Sequence, residues 1–133
     1  MKGDRDECFS GNEKMYGHRK MVVWKNLDEI ERVVRINIMT KIPKNKFNLR
    51  DQIDRASSSI MANFIEGYYS GSLKEYLRFL GYSKRSLAEL QDWIRRIFYE
   101  QYIDQELYDF TDDLMIRTLY LENRLINALR RKL

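Results

Sequence analysis

The feature that most constrains this chain is the spacing of its apolar residues, which fall at steps of three and four along four successive stretches. Such steps place side chains on one face of an α-helix, whereas a strand would show strict alternation. The chain contains one proline, Pro43, and six glycines, so few residues interrupt a helical backbone. The sequence therefore predicts an all-α fold.

The first two helices are bounded by residues that stop or start a helix. The first is predicted over residues 22 to 41, because Pro43 biases the residue before it away from helical angles. Asn48 is the predicted N-cap of the second helix, since its side chain accepts a hydrogen bond from a backbone amide of the first turn. Gly67 is predicted to end that helix, with residues 68 to 71 forming the next turn.

Capping motifs also place the last two helices. Ser72 and Glu75 have the spacing of a capping box, so the third helix is predicted to start there and to reach about residue 100. Asp104 is the predicted N-cap of the fourth helix, which continues to about residue 131. The predicted inner faces are Val23, Leu27, Ile30, Val33, Val34 and Ile38; Leu49, Ile53, Ala56, Ile60 and Phe64; Tyr76, Leu80, Ser83, Leu87, Leu90, Ile94 and Ile97; and Leu107, Phe110, Leu114, Thr118, Leu121, Leu125 and Leu129.

The connections between these helices are short, at about three to seven residues. Short links join antiparallel neighbours, so the predicted fold is an antiparallel, up-down-up-down four-helix bundle over residues 21 to 133. Residues 1 to 20 carry three of the six glycines and no apolar period. They are predicted to form a flexible leader.

Cysteine usage and apolar content indicate the compartment. Cys8 is the one cysteine, so no intramolecular disulfide forms. The sequence has no apolar run of about 18 residues, and its first residues lack the apolar stretch of a signal peptide. We therefore expect a cytoplasmic protein without a membrane partner.

The residue types needed for catalysis are scarce. His18 and Cys8 both fall in the predicted leader, where nothing holds a nucleophile and a base in register. A di-iron site in a helical bundle needs a Glu-x-x-His pair from each of two helices, and none of the four predicted helices contains a histidine. The sequence predicts a protein that is not an enzyme and that binds no metal or other cofactor.

Two basic clusters are candidate nucleic-acid-binding surfaces. The chain carries 24 Lys and Arg against 20 Asp and Glu, a formal net charge of +4, so the placement of charge matters more than its excess. The clusters lie at opposite poles of an antiparallel bundle, and the alternative interpretation is that these cations stabilise helix dipoles and keep the protein soluble. They consist of Lys41, Lys44, Lys46 and Arg50 at the first connection, and of Arg124, Arg130, Arg131 and Lys132 near the carboxyl end.

Arg95 and Arg96 are a third candidate nucleic-acid contact. Trp93 and Tyr99 lie close to them in sequence, and aromatic rings beside arginines stack and clamp single-stranded bases. The alternative is that Trp93 packs at a subunit interface while both arginines are solvated.

A second apolar set predicts self-association. One bundle core hides one face of each helix, so apolar residues off that face are expected to meet another copy or a different protein, such as a polymerase. Ile36 belongs to this surplus. The predicted oligomer interface comprises Trp24, Leu73, Leu77, Trp93 and Phe98.

Several segments resemble a known family. VWK at residues 23 to 25, Pro43 and above all RDQIDRASSSIMANFIEG at residues 50 to 67 are similar to the four-helix-bundle proteins encoded in intervening sequences of bacterial large-subunit ribosomal RNA genes. Glu75, Phe79, Leu80, Ser83 and SLAEL at residues 86 to 90 fit the same pattern. The resemblance covers about residues 22 to 131, and Gln52 to Gly67 is its most specific part.

The resemblance implies a four-helix bundle that forms a ring-shaped homopentamer, has no known enzymatic activity and binds RNA. The same superfamily includes the accessory proteins of diversity-generating retroelements, which pair with a reverse transcriptase and its template RNA. The chain departs from the usual pattern at Ser58, Met61, Phe64 and the Tyr68-Tyr69 pair, which leaves the subgroup open.

Two functions follow as hypotheses from the sequence. The first is a non-enzymatic homo-oligomer that binds RNA through basic surface or assists an RNA-handling enzyme such as a reverse transcriptase. The second is a protein-interaction or structural module whose charge serves solubility alone.

Overall fold

Helices account for most of the computed structural model, in which residues 17–133 are described. The all-α prediction is confirmed. A 3₁₀ turn, Gly17–Lys20, leads into α1, Val22–Arg32, which continues as a π-helical stretch, Val33–Ile38, and a 3₁₀ turn, Met39–Lys41. The remaining helices are α2, Phe47–Tyr68; α3, Leu73–Tyr99; and α4, Gln105–Arg130.

The four helices pack around one core, as a four-helix bundle. α1 contacts α2 and α4, while α3 contacts α2 and α4. Contacts between α2 and α3 fall in reverse order along the two helices, since Gly67 faces Phe79 and the Ser59 hydroxyl lies 2.8 Å from that of Ser86. The wholly buried large side chains come from every helix: Leu27, Ile30, Ile38, Ile53, Ile60, Phe64, Leu80, Leu87, Leu90, Ile94, Ile97 and Met115.

The predicted caps of α3 and α4 are present, although the capping box is only half formed. Ser72 Oγ accepts a hydrogen bond from the backbone amide of Glu75, at 3.3 Å, and Asp104 Oδ1 accepts one from Leu107, at 2.8 Å. The Glu75 carboxylate does not return to the Ser72 amide but accepts a hydrogen bond from Arg78. The Glu75 carboxylate therefore forms an ion pair within α3 instead of capping the helix.

The predicted cap of α2 is wrong. The helix begins at Phe47, and the residue before it, Lys46, makes no side-chain cap. Its carbonyl already accepts a hydrogen bond from the amide of Arg50, at 3.0 Å, so Asn48 lies inside the first turn. The turn that follows Pro43 starts the helix earlier than the polar side chain suggested, because the Lys46 amide donates to the Pro43 carbonyl.

The first helix is not uniform over the predicted residues 22 to 41. Within the π-helical stretch the amide of Met39 donates to the carbonyl of Val34, five residues earlier, which widens the helix by one residue. The wider turn buries the adjacent pair Val33 and Val34 together with Ile38. Apolar spacing alone marks such a stretch as ordinary helix, because it does not record the hydrogen-bond pattern.

The predicted inner face of α4 is rotated from the observed one. Phe110 was placed in the core, yet half of its surface is exposed, and Leu121, Leu125 and Leu129 are only half-buried. α4 carries apolar residues on two adjacent faces, and the face with more polar groups turns inward. The buried residues are Thr111, Leu114, Met115, Thr118, Glu122 and Ile126.

Glu122 is a carboxyl group in the centre of the bundle, with none of its surface exposed. Ser83 Oγ lies 2.7 Å from Glu122 Oε2 and 2.9 Å from the backbone oxygen of Ile60. A hydroxyl donates one proton, so both contacts are hydrogen bonds only when the carboxyl is protonated and donates to Ser83. Burial raises the pKa of Glu122 to about 7, although a hydrogen bond from Ser83 to the ionised carboxylate and the charge of Lys84 would both lower it.

The protonated Glu122 makes the bundle sensitive to pH. Because its folded-state pKa, about 7, lies above its ordinary value of 4.5, its stabilising contribution is complete below about pH 4.5 and is lost as the pH rises through 7. Between about pH 5 and about pH 8 we expect the free energy of unfolding to fall by about 2 to 3 kcal/mol from this group. Denaturant titrations at both pH values measure the change.

Glu122→Gln is the matched control, because a glutamine amide still donates to Ser83 and does not ionise. Its stability should vary much less over this pH range. His18 contributes in the opposite direction, since burial lowers its pKa, and its contribution is common to both proteins. Equal pH dependence in the wild type and the variant would contradict a protonated Glu122.

Two helical glycines provide a matched pair for packing. A Cβ at Gly67 would lie 2.9 Å from Phe79 Cβ and 3.2 Å from the Tyr76 backbone oxygen, whereas a Cβ at Gly81 would meet no atom within 4 Å. Gly67→Ala should lower the free energy of unfolding by about 1 kcal/mol or more, because α2 and α3 must separate. Gly81→Ala should raise it by about 0.5 to 1 kcal/mol. Thermal unfolding of both variants checks the opposite signs.

Candidate nucleic-acid interface

One end of the bundle, called here the cationic pole, gathers three separate parts of the chain. The 3₁₀ turn Gly17–Lys20 packs on the end of α2, where His18 Nδ1 lies 2.7 Å from the Tyr69 hydroxyl. The carboxyl end of α4 lies beside the start of α3, since Arg130 and Leu77 line one groove. Segments far apart in sequence therefore present their charges together.

His18 holds the first of these segments in place. Its ring is buried and makes edge contacts with the rings of Trp24, Tyr68 and Tyr69, at centroid distances of 5.4 to 5.8 Å. Burial and the neighbouring charge of Arg19 lower the pKa of His18, so the imidazole is neutral at neutral pH. Residues 17–20 of the predicted leader form an ordered turn, the flexible leader itself stays a prediction, and Cys8 lies outside the described residues.

The cationic pole presents exposed basic side chains from all three segments. α4 contributes the predicted residues of its carboxyl end, and the two other segments add cations that the sequence did not group with them. Nearby, the Glu75 carboxylate is held by Arg78. The exposed basic residues of the pole are Arg19, Lys20, Lys74, Arg130, Arg131 and Lys132.

The predicted basic cluster at the first connection lies among carboxylates. Lys41 shares a cleft of about 990 Å³ with Asp104 and Glu106, and Lys46 shares another with Glu100. Lys44 lines a third cleft together with Glu31 and Asp54. All three lysines are exposed, but the acids beside them offset the positive potential at this pole.

Arg50, the last member of that cluster, ties the end of the first helix to α2. Its Nη1 donates to the backbone oxygens of Met39, at 2.7 Å, and Ile42, at 2.8 Å. The Met39 carbonyl also accepts a hydrogen bond from the Ile42 amide, at 3.3 Å, where Pro43 stops the helix. The guanidinium therefore has a structural task, and its role in binding RNA stays a prediction.

Arginines stack on aromatic rings along α3. Arg95 and Arg96 both pair with Asp92, at 2.7 Å and 3.0 Å, and Arg96 lies 4.9 Å from the centre of the Trp93 ring. Arg95 lies 5.6 Å from the ring of Tyr99, which is largely exposed. The predicted neighbourhood of arginines and rings is therefore present, with Asp92 offsetting part of its charge.

The same arrangement recurs earlier in α3, where sequence reasoning missed it. Arg78 and Arg85 lie 5.6 Å and 5.0 Å from the centre of the Tyr82 ring. The i, i+3 and i, i+4 spacing of arginines and aromatics was the available signal. On α4, Arg124 lies 5.9 Å from the ring of Tyr120. Guanidinium groups oriented in this way combine phosphate contacts with surfaces on which bases stack.

The predicted oligomer interface is partly covered within one chain. Trp24, Leu77, Trp93 and Phe98 pack half-buried against the core, Leu73 is also half-buried, and the Phe98 ring stacks on Tyr108 with centroids 4.3 Å apart. Their role between subunits stays a prediction. The exposed large apolar residues are Val22, Ile36, Phe47, Tyr69, Tyr99, Phe110, Ile116, Tyr120 and Leu133.

Membrane and metal chemistry find no support in residues 17–133. Over that range, no helix combines the length and the apolar character needed to cross a bilayer. Nor does the same part of the chain bring together three His, Cys, Asp or Glu side chains in an arrangement that could hold a metal ion.

Comparison with known proteins identifies the family. Residues 19–121 match the model of the 23S rRNA-intervening sequence proteins. A crystal structure of a protein of unknown function from the S23 ribosomal protein family of Bacteroides thetaiotaomicron superposes with a TM-score of 0.71 at 23% identity, covering 79% of this chain and 98% of that one. No curated protein matches the sequence. With the matched residues spanning most of the bundle, the chain belongs to the 23S rRNA-intervening sequence protein family.

Proposed function

We propose that this protein is a non-enzymatic, cytoplasmic RNA-binding bundle whose cationic pole contacts phosphates. The observation that carries the proposal is the contrast between the two poles. The cationic pole gathers exposed basic residues from three segments of the chain, and the nearby Glu75 is held by Arg78, whereas each lysine at the opposite pole shares its cleft with acids. Clustered cations that neutralise phosphates supply affinity without reading bases.

The family gives this chemistry a context. Its name refers to a sequence that interrupts 23S rRNA, which is consistent with a protein that works close to RNA. The proposed ligand is structured RNA bound without sequence specificity, because side chains cannot read the deep, narrow major groove of an RNA helix, whereas its phosphates are open to the cations of the pole.

The proposal includes assembly into a homo-oligomer, a ring of five as the resemblance implies. A ring would repeat each cationic pole around its axis, so that modest charge per subunit gives useful avidity. Exposed apolar residues such as Ile116 and Tyr120 on α4 support contact between copies. Assistance to a reverse transcriptase is a narrower form of the same proposal, with the bundle delivering RNA to that enzyme.

A protein-interaction module without nucleic-acid binding is the second candidate. It is favoured by the ion pairs on the outer face of α3, where Arg78, Arg95 and Arg96 are each held by a carboxylate of the same helix. Arginines and aromatics of this kind are also common in protein interfaces. Salt dependence separates the two candidates, because phosphate binding releases counterions.

The RNA proposal predicts that charge reversal at the cationic pole lowers RNA affinity more than charge reversal of two lysines at the opposite pole. In Arg131→Glu combined with Lys132→Glu, affinity for a structured RNA should fall at least about tenfold, and the salt dependence of log Kd should flatten by about 1.4 for two lost phosphates. Lys44→Glu combined with Lys46→Glu should have a smaller effect. Fluorescence anisotropy between about 50 and about 200 mM salt measures both.

The four substitutions combined should abolish binding while leaving the helical circular dichroism unchanged, because all four residues are exposed. Wild-type protein that does not bind RNA even at low salt would refute the RNA proposal and favour the protein-interaction module. Equal losses from the two double variants would refute the assignment to the cationic pole.

A further inference from the structure

A groove between α3 and α4 is not needed for the packing of the bundle itself. It has a volume of about 370 Å³ and lies on the outside of the molecule. Its floor is aliphatic and its rim is cationic. The residues that line it are Leu77, Gly81, Lys84, Arg85 and Ala88 from α3, and Leu119, Ile126 and Arg130 from α4.

The lining residues have the spacing of a helix-packing seam. On α3, Leu77, Gly81, Lys84 and Ala88 follow one another at steps of four, three and four. On α4, Leu119 and Ile126 are seven residues apart. Steps of this kind present holes to a neighbouring helix in coiled-coil packing. Ile126 is buried and Leu77 and Leu119 are half-buried against the core, so the seam borders the core and leaves room for a further helix on its outer side.

Gly81 is the residue that the isolated chain explains least. Glycine within a helix lowers stability by about 1 kcal/mol relative to alanine. At Gly67 that loss is explained, because a side chain would collide with Phe79 and Tyr76. At Gly81 a Cβ would meet no atom of the described part of the chain within 4 Å, so no neighbour there requires a glycine. An occupant whose backbone approaches α3 closely would require it.

The charge of the groove defines the occupant further. Lys84, Arg85 and Arg130 line it, and among residues 17–133 no acidic side chain does. An aliphatic floor with a cationic rim complements an amphipathic segment that carries leucine-like residues on one face and carboxylates beside them. The length from Leu77 to Ala88 is about 17 Å, or three helical turns.

We propose that this groove binds an acidic amphipathic α-helix of about three turns from a partner protein. This interaction goes beyond RNA binding and uses a neighbouring part of the surface, which shares Arg130 with the cationic pole. RNA fits the groove poorly, because none of the described residues that line it is aromatic, so unstacked bases would have no ring to stack on.

A second copy of this chain also fits the groove poorly. Its most acidic exposed face is the start of α4, where Glu106, Asp109 and Asp113 lie beside the rings of Phe110 and Tyr120. These exposed rings would hold that helix away from Gly81, where the groove calls for a close approach of backbones. A partner helix with smaller apolar residues between its carboxylates is therefore the better occupant.

The test uses a fluorescent synthetic peptide of about 18 residues, with leucines at seam positions and glutamates on both flanks. Gly81→Leu should reduce its affinity at least about tenfold, because the new side chain fills the groove, yet the variant should melt no lower than wild type, since leucine favours helix more than glycine does. Ala62→Leu, at an exposed position of α2, is the matched control and should bind normally. Lys84→Glu with Arg85→Glu should weaken binding similarly, and a lysine version of the peptide should not bind.

Three other outcomes would overturn the proposal. Peptide binding that ignores Gly81→Leu would show that the groove is not the site. A wild-type oligomer that Gly81→Leu converts to monomer in sedimentation velocity would assign the groove to a second copy. Loss of RNA affinity in Gly81→Leu would assign the groove to RNA. Loss of peptide binding alone is the expected result. The RNA proposal is then tested separately by the Arg131 and Lys132 variants.

Discussion

The hydroxyl of Ser83 lies where three helices of this bundle meet, and the rest of the packing depends on how it shares its one proton. It contacts the Ile60 carbonyl on α2 and the Glu122 carboxyl on α4, both within hydrogen-bonding distance. A neutral Glu122 turns these contacts into a directed chain from α4 through α3 to α2. An ionised Glu122 would place an unpaired charge in the core, where its other oxygen has no partner. Glu122 thereby sets the rotation of α4, because its hydrogen-bond partner Ser83 lies on the side that faces α3.

That dependence explains which parts of the fold could be predicted from the sequence. Apolar spacing gave the number and approximate ends of the helices, and local caps such as Asp104 located two of the starts. The rotation of α4 was mispredicted because hydrophobicity favours Phe110 over Glu122, and the buried carboxyl is stabilised by a residue 39 positions away. The order around His18 depends on Tyr68 and Tyr69, the second of which is 51 positions away. Contacts between residues so far apart in sequence produce no periodic pattern from which they could be predicted.

The charged surface could likewise be predicted only in part from the sequence. A basic cluster can be read from a sequence, but the acids that fold beside it cannot. Lys41 and Lys46 looked comparable to Arg131 and Lys132 until the turn after α3 brought Glu100 and Asp104 next to the lysines. The opposite pole became more basic for the same reason, since Lys74 and the residues of the 3₁₀ turn joined it from elsewhere in the chain. A net charge of +4 therefore describes neither pole.

Arg130 links the two proposed surfaces. It stands at the end of α4, next to Arg131 and Lys132, and it also lines the groove with Lys84 and Arg85. A carboxylate of a docked helix would pair with its guanidinium and lower the positive potential that phosphates meet at the cationic pole. The coupling between sites is reciprocal, so RNA at the pole would weaken the docked helix by the same factor. Because the two ligands draw on a shared arginine rather than on a change of fold, the expected coupling is small and fades with added salt.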